Sequence, residues 1–205
     1  MNNNPILYVV IPCYNEEEVI DETTKQLTRK IGNLIEENKI SKNSKVMYVN
    51  DGSKDKTWKK IKSINKENEL FTGITLTRNR GHQNALLAGL LTAKKYADVI
   101  ISMDADLQDD INVIDEMLDK YKSGNDIVYG VRSSRKKDSF FKRVTAENYY
   151  KIMKLLGVDC IYNHADYRLT SKRVLDELEN FKEVITKVFI LSIVDLILIV
   201  LTIKN

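Results

Sequence analysis

Two aspartates, Asp104 and Asp106, are separated by a single alanine directly after the apolar run Val99-Ile-Ile-Ser-Met103, and Gln108 follows at the same spacing. Side chains two positions apart at the end of a strand tend towards one side of a sheet. Two hard oxygen donors there suit Mg2+ or Mn2+, which keep several waters and bridge to a substrate's phosphates. Gln108 offers a third, neutral oxygen. Another acidic position, Asp51, follows the apolar run Val46-Met-Tyr-Val49 within Asn50-Asp51-Gly52-Ser53. Its carboxylate suits a sugar or base hydroxyl or an imide N–H, with stabilisation of the turn through Gly52 as the alternative. Asp109 and Asp110, just before Ile111, read as caps of the next helix, and Asp55 as the cap of a helix beginning near Lys56. His82 and His164 lack neighbours at zinc-site or nucleophile-site spacing and read as structural or peripheral.

These positions are useful only if strands carry them to one edge. Ile6–Ile11 is a short apolar, β-branched run ended by Pro12, hence a buried strand. Ile20, Thr23, Leu27, Ile31, Leu34 and Ile35 then fall on one helical face, with Asn15 as expected N-cap and Glu18 completing a capping box. Val46–Val49, Ile74–Leu76, Val99–Met103 and Ile127–Tyr129 read as further strands. Helices are expected after Lys56, over Gln83–Lys95, and through Ile111, Ile114, Leu118 and Tyr121. Hydrophobic rather than alternating strands in repeated β-α units predict an α/β fold, a mainly parallel sheet flanked by helices on both faces. Such sheets bind ligands beyond the carboxyl ends of their strands.

The first strand is followed by Pro-Cys-Tyr-Asn-Glu-Glu, so neither GxGxxG nor GxxxxGK[ST] is present there. That excludes ordinary dinucleotide and P-loop readings. The chain has 205 residues, 43% hydrophobic and 30% charged, enough for one domain with a short appendage. A net charge of +3 is too mild to imply nucleic acid. Cys13 and Cys160 form no CxxC pair, which argues against a disulfide framework and for a reducing compartment. The N-terminal residues do not read as a signal peptide.

After the fifth strand, Arg132, Arg135, Lys136, Lys137, Lys142 and Arg143 surround Phe140 and Phe141. Basic residues interleaved with aromatics suit a phosphate monoester beside a lipid surface, although the lysines also suit a solvated loop. Val188–Ile203 is apolar except for Ser192, Asp195 and Thr202, a run short of the ~20 residues of a spanning helix. It suits either membrane contact or a hydrophobic helix packed on its own domain or another chain. The expected division is 1–183, catalytic domain, and 184–205, hydrophobic tail.

Four ordered segments resemble the family 2 glycosyltransferases: Ile11-Pro12-Cys-Tyr-Asn15-Glu16-Glu17, Val49-Asn-Asp51-Gly-Ser53-x-Asp55-x-Thr57, Arg78-Asn79-x-Gly81-x-x-x-Ala85 and Met103-Asp104-Ala-Asp106-Leu-Gln108-Asp109. Within that family they are similar to the polyprenyl-phosphate branch, which includes dolichyl-phosphate mannosyltransferase and bactoprenol glucosyltransferase. The resemblance implies a GT-A fold of the nucleotide-diphospho-sugar transferase type. It also implies inverting transfer of a sugar from a nucleotide sugar, UDP preferred to GDP, to a polyprenyl phosphate. Position by position, Pro12, Tyr14 and Glu16 would line the nucleotide pocket, Asp51 would meet the base, and Asp104 the ribose and phosphates. Asp106 and Gln108 would ligate the metal. Arg132 and Arg135 would grip the acceptor phosphate. Asn163-His-Ala-Asp166-Tyr-Arg168-Leu169 resembles the family's Gly-Asp-Phe-Arg-Leu segment, with Ala165 and Tyr167 substituted, so Asp166 would be the catalytic carboxylate and Arg168 a phosphate ligand.

The implied setting is the cytoplasmic face of a membrane, with no nucleic-acid partner and with a homo-oligomer compatible. Members of this branch usually continue past the Arg173–Phe181 helix into an amphipathic segment and transmembrane helices. Here the family pattern stops near Val184, so the chain reads as C-terminally shortened. The rival readings are a non-catalytic fragment that binds nucleotide sugar, and a nucleotidyltransferase lacking its usual glycine-rich loop.

Overall fold

In the computed structural model, which describes residues 4–131 and 164–179, β1 (Leu7–Cys13) is buried along its whole length. That burial explains its unbroken apolar sequence. There follow α1 (Ile20–Glu36), β2 (Lys45–Asn50), α2 (Thr57–Glu67), β3 (Phe71–Thr75), α3 (His82–Ala93), β4 (Val99–Ser102), α4 (Val113–Lys122), β5 (Ile127–Val131), β6 (His164–Ser171) and α5 (Lys172–Glu179). The strands form one sheet in the order β3-β2-β1-β4-β6-β5. All pairings among β1 to β4 are parallel, and β6 is antiparallel to both its neighbours.

Alternate residues of β1 serve opposite faces. Leu7, Val9 and Ile11 pack with Ile20, Leu27 and Ile31 of α1 and Ile114 of α4. Tyr8 and Val10 pack with Leu86 and Leu90 of α3 and Leu175 of α5. The predicted sheet with helices on both faces is therefore what forms. Helix α3 crosses β1 and β2 closely: a Cβ on Gly89 would lie 2.5 Å from a Val10 methyl and 2.7 Å from a Val49 methyl. Strand order runs outward from β1 to β3 and then returns past β1 to β4. The reversal opens a crevice at the carboxyl ends of β1 and β4, where open α/β sheets bind ligands.

Two local expectations are corrected. Asn15 does not cap α1, which starts at Ile20 and has no side-chain cap. Asn15 takes a left-handed φ of 57°, a conformation asparagine tolerates better than most residues, and turns towards the loop after β2. Helix α4 likewise has no side-chain cap. Asp110 instead accepts the Asn112 N–H at 2.9 Å in the preceding turn, while Asp109 is buried. A strand the sequence pattern does not announce, β6, occupies the position between β4 and β5.

Candidate active site

The loops leaving β1, β2, β3 and β4 meet at the crevice. They enclose an open cleft of about 240 Å³ lined by Pro12, Tyr14, Glu16, Asp51, Asp104 and Asp106, together with Cys13, Asn79, His82 and Ala105. Each of the first five was expected at a donor pocket, and Asp106 at a metal. Asn79 and His82 were not expected there as lining residues. His82 opens α3, and its Nε2 lies 3.9 Å from Asp104 Oδ1, a proximity that only the fold creates.

Short-range hydrogen bonds explain why the loops hold together. The Asp51 N–H donates to the Cys13 carbonyl at 2.9 Å, joining the ends of β1 and β2. Asp51 Oδ1 accepts the Arg80 N–H at 2.7 Å, and Oδ2 the Gly81 N–H at 2.9 Å. The Asp51 carboxylate thus holds the loop between β3 and α3 rather than its own turn at Gly52, and, buried, it still lines the cleft. The Asn15 N–H donates to Ser53 Oγ at 3.0 Å and its Oδ1 accepts the Lys54 N–H at 2.9 Å. Next along the chain, the Glu16 N–H donates to Thr57 Oγ1 at 2.8 Å and the Glu17 N–H to Asp55 Oδ2 at 3.1 Å. Asp55 Oδ1 also accepts the Thr57 N–H at 2.9 Å in the turn before α2, but the residue flanking that helix is Lys56 and the helix has no side-chain cap, so the cap expected of Asp55 is corrected too. Although burial opposes it, hydrogen bonds from the Thr57 hydroxyl and the Thr57 and Glu17 N–H groups hold the Asp55 carboxyl below its ordinary value. These polar motif residues are staples between loops.

The cleft concentrates negative charge. Burial and the neighbouring Asp106, Asp104 and Asp55 carboxylates hold the Glu16 carboxyl above its ordinary value. The described lining contains four carboxylates and no Lys or Arg, an arrangement that repels an anion and attracts a cation. Among the described residues, no three His, Cys, Asp or Glu side chains form a ready metal cage. Asp104 and Asp106 nevertheless fit Mg2+ or Mn2+, ions commonly held by one or two carboxylates plus substrate phosphates. Cys13 supplies no nucleophile, because burial and then the Glu16 and Asp55 charges push its thiol far above the usual range.

Other expected residues lie outside the lining. Gln108 is linked to Asp106 through its backbone, its N–H donating to Asp106 Oδ1 at 3.1 Å. Arg168 is buried on β6 at the register of Ser102, the last residue of β4. Asp166 lies two positions nearer the start of the same strand, so antiparallel pairing carries its backbone to the sheet edge where β4 ends. Arg132, Arg135 and the tail 184–205 lie outside the described residues. No helix among the described residues is long and apolar enough to cross a membrane.

Comparison with known proteins agrees with this architecture. The model of "Glycosyl transferase family 2" matches residues 8–179. The chain is 52% identical over 195 residues to an uncharacterized glycosyltransferase, YkoT, of Bacillus subtilis strain 168, covering 95% of this chain and 57% of that one. It is 37% identical over 176 residues to the prophage bactoprenol glucosyl transferase homolog of Escherichia coli K12, covering 85% and 55%. The chain thus spans about half the length of the curated relatives it matches. Among solved structures, glucosyl-3-phosphoglycerate synthase of Mycobacterium tuberculosis with UDP superposes with a TM-score of 0.57 at 15% identity, covering 83% and 58%. A mannosyltransferase from Pyrobaculum calidifontis in complex with GDP-Man and Mn2+ gives 0.54 at 19%, covering 88% and 48%. Those likenesses establish a GT-A-like α/β fold. With the matched region running from β1 through α5, the chain belongs to glycosyl transferase family 2.

Proposed function

We propose that this chain provides the sugar-transferring domain of a metal-dependent, inverting enzyme that moves a sugar from a nucleotide diphosphate donor, UDP-linked by preference, to a polyprenyl phosphate. The observation that carries the reading is the convergence of Pro12, Tyr14, Glu16, Asp51, Asp104 and Asp106 around one cleft at the strand-order reversal. Similarity to bactoprenol glucosyl transferases supports the lipid acceptor.

In this reading Pro12, Tyr14 and Glu16 line the nucleotide subsite, Asp51 meets the base, and Asp104 faces the ribose and phosphates. Asp106, with Gln108, would hold Mg2+ or Mn2+, which as a Lewis acid would stabilise charge on the departing diphosphate. A phosphate-monoester oxygen of the acceptor bonds to the anomeric carbon as the bond to the diphosphate oxygen breaks on the opposite face. The second pKa of such a monoester is about 6, so at neutral pH the nucleophile is already ionised. Asp166 therefore orients the acceptor rather than removing a proton. Arg132, Arg135 and Arg168 bind the acceptor phosphate, for which a guanidinium fork is suited. The basic-aromatic stretch through Arg143 and the apolar run Val188–Ile203 support action at the cytoplasmic face of a membrane.

The test is calorimetric titration of the full chain with UDP and GDP, with and without Mn2+, beside Asp106→Asn. UDP binding enhanced by Mn2+ and lost in the variant is expected. Absence of binding by either nucleotide, or binding indifferent to Asp106, would overturn the donor-site reading. Sugar transfer from UDP-sugar to polyprenyl phosphate in vesicles tests the acceptor.

A further inference from the structure

Thr23 breaks the pattern of its helix. It is fully buried on the α1 face otherwise occupied by Ile20, Leu27, Ile31 and Leu34, where an aliphatic side chain would satisfy the core. A helical threonine ordinarily turns its hydroxyl back to the carbonyl four residues earlier. Here Oγ1 lies 3.1 Å from that carbonyl, Val19, but 2.5 Å from the carbonyl of Ala105. One hydroxyl carries one proton, and the Thr23 N–H already donates to the Val19 carbonyl at 3.1 Å. The shorter contact assigns the hydroxyl proton to Ala105, the residue between Asp104 and Asp106.

That loop needs holding. The Met103 N–H still donates to the Val10 carbonyl of β1 at 3.2 Å. Beyond it the chain leaves the sheet, and by Leu107 the backbone has a left-handed φ of 55°. The Gln108 N–H then donates to Asp106 Oδ1. Between these points the Thr23 hydroxyl grips the Ala105 carbonyl, in the peptide that leads into Asp106, from a helix whose own position is fixed by the core. We propose that Thr23 is a positioning residue for the donor site, holding the Ala105 peptide so that Asp104 and Asp106 face the cleft. The proposal rests on the donor-site reading above and adds to it a residue on α1 that touches no ligand.

The test compares Thr23→Val, which keeps the shape and removes the hydroxyl, with Thr23→Ser, which keeps the hydroxyl. In the full chain, Thr23→Val is expected to weaken Mn2+-dependent UDP binding about tenfold, the order of effect of one buried hydrogen bond. Metal-free binding of the base uracil, which calls on Asp51 and on neither Asp104 nor Asp106, should be unchanged, and Thr23→Ser should restore UDP binding to near the native value. Hydrogen exchange read without ligand should quicken over residues 104–108 in Thr23→Val and not in α1. Native-like UDP binding by Thr23→Val, failure of Thr23→Ser to restore it, or unchanged exchange at 104–108 would overturn the proposal. Should the unmodified chain itself show no Mn2+-dependent UDP binding, the donor-site reading fails first and the positioning role falls with it.

Discussion

Asp51 and Gly81 are joined at 2.9 Å, the Gly81 N–H donating to Oδ2 while the Arg80 N–H takes Oδ1 at 2.7 Å. One carboxylate at the end of β2 thus sets the backbone from which α3 begins, and with it the place of His82 on the cleft wall. A residue expected to serve a ligand also builds the cleft.

Replacing Asp51 by Asn should therefore cost stability even without ligand. An amide keeps one acceptor oxygen, so one of the two backbone N–H groups would confront an NH2. The expected loss is about 1–3 kcal/mol, the range for a buried donor left unsatisfied, read by denaturant unfolding of the ligand-free protein. An unchanged midpoint would mean that Asp51 is there for ligand alone.

Gly52 makes a second, steric demand on the same contact. Its φ is 65°, and a Cβ there would lie 2.5 Å from the Arg78 carbonyl carbon and 2.6 Å from the Asn79 nitrogen. Backbone atoms cannot step aside as a side chain can. Gly52→Ala should lose about 2–4 kcal/mol, combining left-handed strain with overpacking, and should weaken UDP binding by displacing Asn79. Gly32 is the control: it lies within α1 with nothing within 4 Å of its Cβ position. There alanine should gain about 0.5–1 kcal/mol through helix propensity.

Local pattern and placement after strands carry part of this fold and site in the sequence itself. β1, β2 and β4 were legible because both their faces are buried and the runs Leu7–Ile11, Val46–Val49 and Val99–Ile101 at their centres are apolar. The acidic residues at the cleft were legible because strand ends are where parallel sheets bind ligands. β6 was not, since His164, Asp166 and Arg168 interrupt any apolar run, and its pairing with β4 joins residues 66 or more positions apart, as at Ser102 and Arg168. His82 was missed for a similar reason: a histidine at a helix start gains its meaning from Asp104, on another loop. Asn15 has the residue type of a cap, but its left-handed backbone directs it to Ser53 and Lys54 instead.

The crowding of charge makes a prediction about Glu16. Its carboxyl is raised by burial first and then by Asp106, Asp104 and Asp55, so ionised Glu16 lowers the stability of the metal-free fold. A raised folded pKa means that this penalty is absent below the unfolded value of about 4.3 and is complete above the folded one. Glu16→Gln should thus raise the melting temperature at neutral pH, with the gain shrinking as pH falls through the folded value and gone below the unfolded one. Mn2+ should stabilise the native chain more than the variant, narrowing the difference. A melting-temperature gain that persists in acid would point to packing rather than charge.

The opposite sign is expected at Asp126, which ties the β5–β6–α5 corner. Its Oδ1 accepts the Ser171 hydroxyl at 2.6 Å, its backbone carbonyl accepts the Ser171 N–H at 2.8 Å, and the Arg173 guanidinium pairs with its carboxylate. The Arg173 hydrogen bond, outweighing burial and aided by Ser171, holds the Asp126 carboxyl below its ordinary value. A depressed folded pKa contributes stability that is present above the unfolded value of about 3.9 and is lost as pH falls through the folded one. Asp126→Asn keeps the size and the backbone bond, so it should cost about 1 kcal/mol at neutral pH, a modest figure because Arg173 is largely exposed. Denaturant unfolding of both proteins across the acid range should show the difference closing at low pH. A difference independent of pH would assign the corner's stability to the Ser171 contacts and not to the charge. Because β6 carries Asp166 and Arg168, loosening this corner should also slow sugar transfer while leaving UDP binding at the β1–β4 crevice intact.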